Sequence, residues 1–135
     1  MLKWKDEYAI GVEEIDQQHQ RLFEIGNEIY ELLENYLLPD KYDKIVKIVL
    51  ELKDYTKYHF ESEEKYMISI KYPGYLRQKV AHDDFIKEVE SIDFSAIDED
   101  QEGHVKKLLN FIFEWILDHI LKSDMGIKNF NQKNA

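Results

Sequence analysis

Cysteine is absent from the 135 residues, which removes a disulfide framework, a thiolate zinc site and a thiol nucleophile together. That absence suits a reducing compartment. An excess of positive charge is lacking too: the net charge of −10 argues against nucleic acid or an anionic membrane as the main partner. The N-terminal Met1-Leu2-Lys3-Trp4-Lys5-Asp6-Glu7 has no apolar core of signal-peptide length, and no run elsewhere is long and apolar enough to span a bilayer. A soluble, cytoplasmic protein is expected. With only two prolines and five glycines, long stretches run unbroken, and no alternating strand pattern persists, so the expected class is all-α. The length fits one domain, residues 1–135, that can bury a core without staples.

Taken in order, residues 1–15 read as an irregular arm in which Trp4, Tyr8, Ile10, Val12 and Ile15 are separated by charges and Gly11. The arm is expected to lie across a bundle and bury its aromatics. Asp16 is the expected N-cap of a first helix whose stripe runs His19, Leu22, Phe23, Gly26, Ile29, Tyr30, Leu33 and Leu37, ending before Pro39. Asp40 is expected to cap a second helix with Ile45, Ile48, Val49, Leu52, Tyr55, His59, Glu63 and Met67 on its inner face. Glu61 and Glu64 lie off that stripe and read as solvated. Tyr72-Pro73-Gly74 breaks the chain before a third helix with Leu76, Gln78, His82, Phe85, Ile86 and Val89 inward. Ser91 to Gly103 reads as an acidic, solvated connection. A fourth helix carries Val105, Leu108, Phe111, Ile112, Trp115, Ile116 and His119, with Asp124 near its end, and residues 128–135 read as a frayed polar tail. The sum is an up-down-up-down four-helix bundle with an irregular N-terminal arm.

The chemistry starts at His59 and Glu63. Four residues apart, they sit roughly 40° apart and about 6 Å along a helix axis, on one face. A single such pair is commonplace on a charged helix. Here, however, Glu63 continues an apolar stripe, and burying an unpaired carboxylate costs several kcal/mol, so it must reach water or meet a cation. Each of the four helices also brings a histidine to its apolar face: His19, His59, His82 and His119. His104, at the start of the fourth helix, reads as a surface residue. One lone histidine on such a stripe is ordinarily a satisfied core residue; four, with Glu63 and Asp124, form a donor set. Nitrogen and oxygen donors without thiolate suit Fe, Mn or Zn. Six donors exceed one tetrahedral zinc, and each carboxylate can bridge a metal pair, so a dinuclear site is expected.

Neither Glu-x-x-His of the ferritin-like diiron proteins nor His-Glu-x-x-His of the zinc peptidases occurs. The chain instead resembles the hemerythrin family. Its matching residues are Trp4, Tyr8 and Gly11; Ile15-Asp16-Gln17-Gln18-His19; His59-Phe60-x-x-Glu63; Tyr72-Pro73; His82-Asp83-x-Phe85; and Trp115-x-x-x-His119-Ile120-x-x-x-Asp124. They run from about Trp4 to Phe130 and fall on all four helices in order. The resemblance implies two non-haem iron ions, oxo- or hydroxo-bridged, that bind O₂ reversibly as a hydroperoxide. His19 and His59 would hold the iron that keeps a position open for O₂, and Glu63 and Asp124 would bridge. His82, His119 and one further residue would hold the other iron. Leu22, Phe60, Trp115, Ile116 and Ile120 sit within a turn of these ligands and would line a dry pocket, though each is equally at home in a plain core.

The chain departs from the family pattern at one expected ligand: a histidine four residues before His82 is replaced by Gln78. The Gln78 amide oxygen could ligate weakly, a water could take its place, or the second site could be only partly filled. Two functions follow. One is an O₂ carrier, buffer or sensor. The other is a diiron enzyme reducing peroxide, O₂ or nitric oxide with an external electron donor, since no flavin or haem motif is present. A metal-free helical bundle with an interaction role is a third, weaker reading.

Overall fold

A computed structural model describes residues 3–34, 42–92 and 101–134. Its helices are α1 (Glu13–Glu34), α2 (Tyr42–Ser69), α3 (Tyr75–Glu90), α4 (Gln101–Asp118) and α5 (Met125–Lys133). A π-helical turn, His119–Asp124, joins α4 to α5. The first four helices form the expected bundle, and no strand occurs among the described residues. Leu37, Pro39, Asp40, the 93–100 part of the acidic connection and the side chains of Ile29, Leu33, Ile45, His104, Val105, Leu108 and Ile120 lie outside the described residues.

The helical stripes meet in the bundle interior. Leu22, Phe23 and Ile25 of α1, Val49 and Leu52 of α2, and Ile112 and Ile116 of α4 form one apolar cluster. Phe60, Phe85 and Val89 form a second between α2 and α3. The arm closes over the bundle as expected, with the Trp4 and Tyr8 rings edge-on to Phe23 at 5.5 and 5.9 Å. At its end, Ile10, Ile15, Met67 and Ile127 make a third cluster below the histidines.

Five expectations need correction. Gln101, Glu102 and Gly103, expected in the acidic connection, already belong to α4. The first helix begins at Glu13, before Asp16. The Asp16 carboxylate instead reaches back from the first turn to accept the N–H groups of Ile10 (2.8 Å) and Gly11 (3.2 Å). That fixes the arm at Gly11, whose φ of +88° a side chain would strain. Leu76 is 74% exposed. Its six-residue offset from His82 places it about 120° off the face carrying Gln78, His82, Phe85 and Val89. Glu64 is not solvated: its side chain is only 14% exposed and engages His82. The C-terminal segment is no frayed tail, since most of it forms α5. There Ile127 is buried, Phe130 lies edge-on to Tyr72 (5.5 Å), and Asn131 donates to the Tyr66 hydroxyl (2.8 Å). Its apolar residues are too few for a periodic stripe, but the turn at Tyr72 gives them a surface.

Candidate metal centre

All four histidines, both carboxylates and Gln78 converge in the bundle interior, and all are buried. Helical spacing places His59 and Glu63 on one face of α2, and Gln78 and His82 on one face of α3. His119 and Asp124 need a different device. Five residues along an α-helix turn about 500°, leaving two side chains about 140° apart. The π-helical turn from His119 to Asp124 replaces that register with an i→i+5 one, and both side chains face inward. The His119 Nε2 to Asp124 Oδ1 distance is 3.0 Å.

The two carboxylates divide their oxygens between two sets of histidines. Glu63 Oε2 faces His59 Nε2 (3.2 Å) and His19 Nε2 (3.5 Å), while its Oε1 faces His82 Nε2 (3.1 Å) and His119 Nε2 (3.0 Å). Asp124 does the same, with Oδ2 at 2.9 Å from His19 Nε2 and Oδ1 toward His119. Neighbouring donors around one ion held at ~2.1 Å stand about 3 Å apart, which these spacings match. Two overlapping groups result: His19, His59, Glu63 and Asp124, and then Glu63, His82 and His119.

The donors fit a cation better than they fit one another. His19 Nε2, His59 Nε2, Glu63 Oε2 and Asp124 Oδ2 are buried and close, yet among the described residues none is in hydrogen-bond geometry with a partner. Leaving buried polar atoms unsatisfied costs about 1–3 kcal/mol each. One cation among these four would satisfy them together.

The outer nitrogens of two histidines are held from behind. His59 Nδ1 donates to Gln18 Oε1 (2.7 Å), and His82 Nδ1 donates to Glu64 Oε2 (2.8 Å). Each bond fixes the tautomer that turns Nε2 toward the centre. Gln18 and Glu64 are the residues that sequence reasoning missed in this role. Each follows or precedes a donor by one position, about 100° off the inner stripe, and its partner comes from another helix. Aromatic faces cover the second group: Phe60 stacks on His82 (centroids 3.9 Å, 3°) and Trp115 on His119 (4.5 Å, 16°). Leu22 and Ile116 are buried in the apolar cluster one turn from His19 and His119.

Gln78 lies against Asp124, its Nε2 donating to Oδ1 (3.2 Å). A carboxylate can only accept, so the amide nitrogen must take that side. Gln78 Oε1 is thereby left buried with no hydrogen-bond partner among the described residues.

Before a metal binds, the centre holds protons. Burial works to lower the His19 pKa, but the adjoining Asp124 and Glu63 carboxylates carry it up to about 9. His119 is opposed by burial and raised by the charges of Asp124 and Glu63 to about 10. His59 is lowered by burial. Glu63, which burial alone would raise, is held well below the ordinary carboxylate range by His119 and His59. At neutral pH two imidazolium ions thus face two carboxylates. Their folded pKa values exceed the ordinary 6.5, so their contribution to apoprotein stability is full below that pH and is lost as pH rises through 9 to 10. Metal loading at pH 7.5 is expected to expel about two protons per chain. A pH indicator in weak buffer reads them directly, and uptake without proton release would contradict this charge assignment.

Among the described residues no helix is long and apolar enough to cross a membrane. The family model described as the hemerythrin HHE cation binding domain matches residues 10–130. The chain is 48% identical over 124 residues to a bacteriohemerythrin of Clostridium acetobutylicum, covering 92% of this chain and 96% of that one. A Pseudomonas aeruginosa bacteriohemerythrin is 32% identical over 127 residues, covering 93% and 78%. A hemerythrin-like protein of Naegleria gruberi is 25% identical over 125 residues, covering 93% and 89%. With a match spanning most of its length and a buried set of cation donors on four helices, the chain belongs to the hemerythrin family.

Proposed function

We propose that residues 1–135 form a single hemerythrin-like domain that holds two non-haem iron ions and binds O₂ reversibly, as a cytoplasmic carrier, buffer or sensor. The observation that carries this reading is the division of Glu63 and Asp124 between two histidine sets, which is what bridging a metal pair requires. In it, His19 and His59 serve one ion and His82 and His119 the other, with Gln78 Oε1 as the remaining neutral donor on that side. Iron held there in the ferrous state, with an oxo or hydroxo group between the ions, would supply the electrons for reversible O₂ binding.

The chain's own residues do the rest. Gln18 and Glu64 keep His59 and His82 oriented. Phe60, Trp115, Leu22 and Ile116 exclude water and hold back protons that would turn binding into irreversible oxidation. Ile120 is assigned to the same lining from its position in the sequence. Nucleic acid and membrane are not partners in this reading.

Gln78 supports a second reading. An amide in place of an imidazole is a weaker donor, and it leaves the His82–His119 ion open to water or protons, which favours turnover. The chain would then be a diiron enzyme reducing peroxide, O₂ or nitric oxide with electrons from an external donor.

Visible spectroscopy separates the two. Protein loaded anaerobically with Fe(II) is exposed to air and then deoxygenated. Reversible binding gives an intense visible band that appears and then vanishes. Direct conversion to a ferric form that does not revert would overturn the carrier and favour the enzyme.

A further inference from the structure

Every donor of the centre is buried, so a metal ion needs a path by which it can shed water stepwise onto protein ligands. A cleft of about 510 Å³ runs between α2 and α3, and its lining includes Phe60, Glu64, Lys79, His82, Asp83 and Ile86. His82 is itself a donor of the centre, so the cleft ends on the site. The groove on the outer face of α2, lined by Lys47, Leu50, Glu51, Asp54, Tyr55 and Tyr58, contains none of the donors.

Between solvent and His82 stands Glu64. Its Oε2 accepts from His82 Nδ1 (2.8 Å), while its Oε1 faces the Lys79 ammonium in the cleft (3.5 Å). Lys79 also binds Asp83 (2.9 Å), so one exposed cation spans both carboxylates. A carboxylate at the inner end of a solvent cleft is a suitable first ligand for a hydrated divalent ion. The ammonium occupies that same carboxylate and competes with any arriving cation.

We propose that the cleft between α2 and α3 is the route by which a divalent metal ion reaches the His82–His119 side of the centre, with Glu64 as its first protein ligand and Lys79 as the competing charge that slows its passage. The proposal rests on the dinuclear reading above for its destination. The Lys79–Glu64 pair is partly solvated and pairs of that kind are weak, so the change expected from removing the ammonium is about threefold.

The test is stopped-flow uptake of Co(II) by the metal-free full-length chain, followed by its visible absorption. The phase belonging to the second group is identified by its loss in His119→Ala. Lys79→Met keeps the apolar stem and is expected to speed that phase about threefold. Glu64→Gln keeps an acceptor for His82 Nδ1 but removes the charge, and is expected to slow the same phase by at least that factor. Lys47→Met, in the groove without donors, should leave it unchanged. A Glu64 that only orients His82 would alter how long the ion is held and not how fast it arrives. An unchanged uptake rate in either Lys79→Met or Glu64→Gln, or an equal change in Lys47→Met, overturns the route. Final stoichiometry is read separately: one Co(II) per chain would overturn the dinuclear reading, while the rate comparison would still decide the route.

Discussion

Glu63→Gln is expected to leave the protein unable to retain a metal pair. Among the described residues no other side chain faces both groups as fully: its two oxygens lie within 3.5 Å of all four histidine Nε2 atoms. The amide keeps the volume but removes the negative charge and replaces one acceptor oxygen by a donor nitrogen. Loss of an orienting partner alone typically costs 10–100-fold in metal affinity, so loss of a shared ligand should cost more than about 100-fold at each position. Metal content after dialysis, measured by elemental analysis, should fall from two ions to one or none. The apoprotein changes as well, because the carboxylate that helps hold His119 and His19 protonated is gone. The proton release on loading should shrink with it. Two tightly held ions in Glu63→Gln would remove this residue from its proposed bridging role.

Gln78→His is expected to act in the opposite direction. The wild-type amide binds Asp124 through Nε2 and leaves Oε1 buried and unpartnered. An imidazole at this position, one turn before His82 on the same face of α3, offers a stronger neutral donor to the second group. Metal retention against a chelator should lengthen by about tenfold or more, since a ligand is gained where losses of lesser groups cost 10–100-fold. On the proposed diiron reading the oxygenated form should persist longer, because the gained ligand would fill a position otherwise open to water. If retention and lifetime both equal the wild type, Gln78 already serves as well as a histidine, and the enzymatic reading loses its support.

Much of this architecture could be read from residue spacing. Intervals of three and four set the inner faces of the helices, and the scarcity of proline and glycine left those helices unbroken. The histidine on each face was visible for the same reason. What stayed hidden depends on relations between helices or on departures from the 3.6-residue repeat. Glu64 looked solvated because it lies about 100° round α2 from Glu63; only the approach of α3 brings His82 to it. The tail looked frayed because α5 packs on the turn holding Tyr72, a partner far away along the chain that no local pattern announces. The π register is the clearest case. Counted on an α-helix, Asp124 would point away from His119, and nothing in the side-chain order announces the wider turn.

The short approach of His19 to Asp124 has a consequence in the statistics of the unfolded chain. These residues stand 2.9 Å apart in space but about a hundred positions apart along the polymer, so a shared ion would close most of the chain into a loop. In the loop-entropy picture, a permanent cross-link of that span removes freedom from the denatured ensemble worth about 4–5 kcal/mol. A chain without a single cysteine can thereby acquire the topological restraint of a disulfide, one that is fastened by metal supply and undone by chelation rather than by the redox state of its surroundings.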